Sequence, residues 1–88
     1  MKITDIVSTT TNKTRTDGRY PQRIGSTVEF YMKPKVGMPI VFEYVSDNQG
    51  NPKEGYLRTS TVESIYETET EIKVTTLNSI YCFKKGGK

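Results

Sequence analysis

From Gly55 to Lys85 the chain alternates apolar and polar side chains with the two-residue period of a β-strand, interrupted only by short polar turns. In Glu71–Thr76 the pattern places Ile72, Val74 and Thr76 on one face and Lys73 and Thr75 on the other. Tyr56–Tyr66 is long enough to bend, and Thr59, Ser60 and Thr61 at its middle would allow a β-bulge there. Glu67–Thr70 supplies a turn, and Ile80–Phe83 closes a three-strand meander. A flat sheet of this kind would leave two unpaired edges and one apolar face in water, so the pattern calls for closure.

The preceding half supplies the remaining strands. Lys2–Ser8 predicts a first strand with Ile3 and either Ile6 or Val7 inward. In Arg23–Met32 the alternation puts Val28, Phe30 and Met32 inside against Glu29 and Tyr31, with Pro34 as the stop. Pro39–Val45 places Ile40, Phe42 and Tyr44 on one face and Val41, Glu43 and Val45 on the other. Between strands, Thr9–Pro21 is rich in Thr and carries the turn pair Asp17-Gly18, which predicts a long polar loop over about residues 9–22. Asp47–Gly55 is turn chemistry throughout and reads as a hairpin connection. A calcium loop there would lack its closing bidentate glutamate. The chain contains no alanine, so at most a single helical turn is expected.

These elements predict an all-β fold, a small SH3-like or OB-like barrel of five to six strands arranged mainly as an antiparallel meander. Residues 1–85 form one domain, and residues 86–88 a flexible tail. Burying eight to ten side chains at about 1.5–3 kcal/mol each is largely offset by backbone entropy, leaving a net stability of only a few kcal/mol.

The run TTLNSIYCF resembles the closing turn of SH3-like domains, in which a one-turn 3₁₀ segment leads into the last strand. On that resemblance Leu77, Asn78 and Ser79 occupy the turn and Tyr81 starts the strand. More broadly, RYPQRIG, VGMPIVFEY, LRTSTV and TTLNSIYCF are similar to uncharacterised small proteins of bacteria and of their phages or mobile elements. The resemblance implies no activity. The chain lacks the Ala-Leu-Tyr-Asp-Tyr type start and the tryptophan with which SH3 domains grip proline-rich peptides.

Composition limits the chemistry. With no histidine and one cysteine, the chain has neither a zinc ligand set nor a disulfide, and no ready base for a nucleophile. Cys82, between Tyr81 and Phe83, reads as a small apolar filler or a passive thiol, and Glu67, Glu69 and Glu71 as solvated charge. The expectation is a non-enzymatic protein without cofactor, membrane span or leader, working in the cytoplasm of a bacterial host cell.

Charge and aromatic content then point to binding. Residues 13–35 carry six basic against two acidic side chains, and residues 43–72 two basic against seven acidic. Six tyrosines in 88 residues favour a protein contact surface, because tyrosine offers large area and a polar tip at low entropic cost. Tyr44 and Tyr81 are the expected core members. The candidate binding residues are Arg15, Arg19, Tyr20, Arg23, Tyr31, Lys33, Lys35 and Tyr56. The first reading is a protein–protein interaction module, an accessory or inhibitor of phage or mobile-element type. The alternative is nucleic-acid binding through Lys13 to Lys35, and a further alternative is a small anionic ligand such as a nucleotide.

Overall fold

The computed structural model describes residues 1–86 and contains six strands and one helical turn. These are β1 (Lys2–Ser8), α1 (Tyr20–Arg23), β2 (Thr27–Phe30), β3 (Pro39–Ser46), β4 (Tyr56–Glu67), β5 (Glu71–Thr76) and β6 (Ser79–Lys84). Each strand pairs antiparallel with the next, and β6 pairs back onto β1, so the meander closes into a barrel. β6 shows why. Its inward Phe83 lies opposite Ile3 on one side and Ile72 on the other, and its Tyr81 opposite Ile6 and Val74. Phe42 of β3 reaches across the interior to Phe83 and Tyr81, with ring centroids 5.9 and 6.5 Å apart, so opposite walls meet in one core.

Bulges adjust the pleat where simple alternation fails. In β1, Thr4 is the extra residue between the Ile3–Phe83 and Asp5–Cys82 pairs, which shifts the phase so that Ile3 and Ile6 both face inward. In β4 a bulge is present at the residues that would allow one: Thr59 and Ser60 together oppose Ile40 of β3. The Thr59 Oγ1 atom accepts the Ile40 amide at 3.0 Å and donates to the Ser60 carbonyl at 2.8 Å, satisfying groups that the ladder leaves over. A second bulge at Glu63 bends β4 again, so one strand serves as two staves.

Three expectations are corrected. The strand expected over Arg23–Met32 is shorter, beginning at Thr27, and is preceded by the turn α1, whose second residue is Pro21. Gly25, at φ +96°, lies against Asn48, where an added Cβ would come within 3.1 Å, and it turns the chain out of extended geometry. Met32, expected inside, lies beyond the end of β2 and is exposed. The turn before the last strand is not a 3₁₀ segment: Leu77 and Asn78 form a two-residue bend, and Ser79 already belongs to β6. There the Thr76 hydroxyl closes the hairpin, donating to the Ser79 carbonyl at 3.0 Å and accepting its amide at 3.2 Å.

The polar loop after β1 folds back on that strand. The Ser8 and Arg15 amides donate to the Lys13 and Ile6 carbonyls at 2.9 and 2.8 Å, and Asn12 takes φ 63° at the tip. In the β3–β4 connection, Asp47 Oδ1 accepts the amides of Gln49 and Asn51, both at 2.9 Å, so this carboxylate is spent on its own turn. Lys85 pairs with Glu67 at 2.7 Å; of the tail expected over 86–88, Gly86 lies beside Met1 and 87–88 lie outside the described residues.

Candidate functional site

Because Ile40 and Phe42 point into the core, their neighbours Val41 and Glu43 stand on the outer wall of β3. The strand register sets Arg58 of β4 opposite Val41 and Tyr56 opposite Glu43. Tyr31, just past β2, is placed beside them by its amide, which donates to the Val41 carbonyl at 2.9 Å. The segment from Lys33 to Met38 is fastened over β4 by two bonds, Gly37 to the Val62 carbonyl and the Val62 amide to Met38, each 2.9 Å. Within this segment Pro34 is buried.

The result is an outer face rich in exposed apolar groups. Tyr31 and Tyr56 are 70% and 73% exposed, and Met32 and Met38 54% and 48%. A shallow cavity of about 280 Å³ lies among Tyr31, Met32, Met38 and Val41, rimmed by Lys33, Lys35 and Arg58. Beside it a second, also about 280 Å³, is bounded by Tyr31, Val41, Glu43 and Tyr56.

The other candidate residues gather at the mouth of the barrel, where α1 sits. Arg15 is held from several directions. Its guanidinium grips both carboxylate oxygens of Asp17 at 3.0 and 2.7 Å, donates to Ser79 Oγ at 3.0 Å, and lies 4.2 Å from the Tyr20 ring centroid. That hydrogen bonding raises the Arg15 pKa and holds the Asp17 carboxyl below its ordinary range. Arg15 thus braces the β5–β6 turn against the loop. Arg23 lies 5.2 Å from the Tyr20 ring centroid, and Arg19 stands at the N-terminal end of α1.

Two cavities meet at this mouth. The inner one, about 190 Å³, is bounded by Arg23, Arg58, Tyr20, Ser60, Asn78 and Tyr81 among others. The outer one, about 290 Å³, adjoins it at Arg23 and Leu57 and extends past Arg19, Tyr44 and Lys53 to Tyr56. Lys53 Nζ lies 4.1 Å from the Tyr44 ring centroid, a cation–π contact that covers that ring. Burial raises the Tyr44 pKa although nearby Arg23 opposes it, and burial pushes the Tyr81 phenol up to about 12. Both are neutral donors at neutral pH.

The eight candidate residues therefore divide into two groups, one around Tyr31 and Tyr56 and one around Tyr20 and Arg23. Arg58 lines both the outer face and the inner cavity. Compared with protein-family models, curated proteins and solved structures, the chain matches none. Its own geometry is the guide to what it does.

Sequence reasoning passed over Met32, Met38, Val41, Lys53 and Arg58. Val41 was legible as outward-facing from the alternation of β3. Arg58 sits in the acidic half of the sequence, and only the β3–β4 register carries it to Lys33 and Lys35. Cys82 is half-buried on the outer side of β6, with its thiol pKa raised by burial, so it is a poor nucleophile.

Proposed function

We propose that this protein is a non-enzymatic binding module, an accessory or inhibitor that occupies the surface of another protein through the face around Tyr31 and Tyr56. One observation carries the reading: two large aromatic rings, 70% and 73% exposed, stand on and beside the outer wall of β3 and β4, with two exposed methionines next to them. Covering such a patch releases water from apolar surface with little loss of freedom in the tyrosines. Methionine adapts to the shape of what it meets. Lys33, Lys35 and Arg58 along one rim match a partner whose apolar contact is bordered by Asp and Glu.

Glu43 weighs against nucleic acid on this face. It lies between the two tyrosines, where a phosphate backbone stacked across both rings would have to pass. An SH3-like scaffold, the likeness to small proteins of bacteria, their phages and mobile elements, and action in the host cytoplasm belong with this proposal.

The test is a pull-down from bacterial lysate with the wild-type protein and a Tyr31→Ala, Tyr56→Ala double variant. If each ring anchors a contact at about 2 kcal/mol or more, the double variant loses its partner more than a hundredfold in affinity. Its thermal melt stays unchanged, because neither ring packs in the core. A partner retained by the double variant overturns the proposal. Oligonucleotide binding that weakens steeply with salt would replace it with the nucleic-acid reading.

A further inference from the structure

The inner cavity at the barrel mouth differs in kind from the outer face. No carboxylate lines it, and neither Arg23 nor Arg58 has an acidic partner among the described residues, whose ion pairs are Arg15–Asp17 and Glu67–Lys85. Two arginines without an acidic partner thus line one polar recess. Asp17 does not offset them, since Arg15 already neutralises it through two hydrogen bonds.

The rest of the wall adds neutral donors. The Thr59 and Thr76 hydroxyls are spent on the backbone. Tyr20 and Tyr81 share a hydrogen bond, so one of their hydroxyls, the Ser60 hydroxyl and the Asn78 amide are the donors that remain. The floor is rigid, because Arg15 bonds Ser79 Oγ and the Asn78 carbonyl at 3.0 and 3.3 Å from outside. A fixed floor with convergent donors and unpaired positive charge is a preorganised receptor for an anion.

The set of donors selects the anion. Two arginines and three neutral donors offer more than the two oxygens of a carboxylate can accept, whereas a phosphate presents three oxygens and up to two charges. At about 190 Å³ the recess is below the range of about 300–1,000 Å³ usual for whole organic ligands, so it takes a group. The adjoining cavity of about 290 Å³ offers room for a body and an exposed ring, Tyr56, for it to lie against. We propose that the barrel mouth binds a small organic phosphate monoester, with the phosphate between Arg23 and Arg58 and the organic part along the outer cavity against Tyr56. Arg23 lies off the outer face, so this proposal and the protein-contact proposal fail separately.

Amide-resolved NMR titrations at constant ionic strength test it, with inorganic phosphate, adenosine monophosphate and adenosine as probes. Phosphate and the monophosphate are expected to move the amides of Ser60, Asn78 and Ser79. The monophosphate also moves Gly55 and Tyr56 and binds about tenfold more tightly than phosphate, and adenosine alone moves neither group. Arg23→Gln weakens both phosphates by about tenfold to a hundredfold, the loss expected for hydrogen bonds to a charged group. Arg58→Gln, on an exposed side chain, does the same and serves if the first variant fails to fold. Absence of shifts at millimolar phosphate overturns the proposal. Shifts undiminished in both variants, or equal affinity for phosphate and the monophosphate, overturn it as well.

Discussion

Phe42 touches three other aromatic rings, those of Tyr44, Tyr81 and Phe83, at centroid distances of 5.8, 6.5 and 5.9 Å. In so small a core no neighbouring layer can collapse into the space it would leave. Phe42→Ala should cost about 3–5 kcal/mol, comparable to the whole stability expected of a chain this size, and urea melts should find the variant largely unfolded. A second contrast separates structural from available cations. Arg15→Ala should lower the melting temperature by several degrees, because Asp17, Ser79 and Tyr20 all lose their partner. Arg19→Ala should leave the melt unchanged, its side chain being exposed at the end of α1. Both residues were candidates for binding on charge alone. Sequence could not separate them, since Asp17 alone made Arg15 no more than a possible local pair, and the Ser79 contact spans 64 positions.

Among the elements, β4 carries the most information. Twelve residues with two bulges let it bend around the barrel and pair with both β3 and β5. The Thr-Ser-Thr run at its centre allowed the first bulge, and in the structure the Thr59 hydroxyl takes up the amide that the ladder drops. Thr59→Val keeps the shape and removes that acceptor from the Ile40 amide, so it should cost about 1–3 kcal/mol by urea denaturation. The bulge at Thr4 was visible only as imperfect alternation. β2 was the element misread: RIGSTVEFYM has the period of a strand, but the left-handed Gly25 and Pro21 in the preceding turn confine pairing to four residues. Pattern reports which face a side chain prefers, and pairing partners decide how far the strand runs.

The whole molecule should show a stability plateau bounded by protons on both sides. Asp17, Asp47 and Glu67 titrate below their ordinary values because Arg15, the Asn51 and Gln49 amides, and Lys85 respectively hydrogen-bond their charged forms. Their contribution is present above the ordinary carboxylate range, about pH 4, and is lost as pH falls through the lower folded values. Tyr81 acts in the opposite direction. Its phenol is raised to about 12 by burial, so above about pH 10 the unfolded chain loses a proton that the folded one keeps. Stability therefore falls from about pH 10 upward through about 12, and the urea midpoint followed across pH should trace both limbs. Alternation, turn residues and the absence of alanine by themselves determined that this chain is an all-β meander driven to close, because side-chain direction in a strand is a local property of the backbone. Which outward residues meet was decided only by the tertiary structure. Strand register brings Tyr31, Tyr56 and Arg58 to one face and leaves Arg23 at the barrel mouth, across separations that no local pattern encodes.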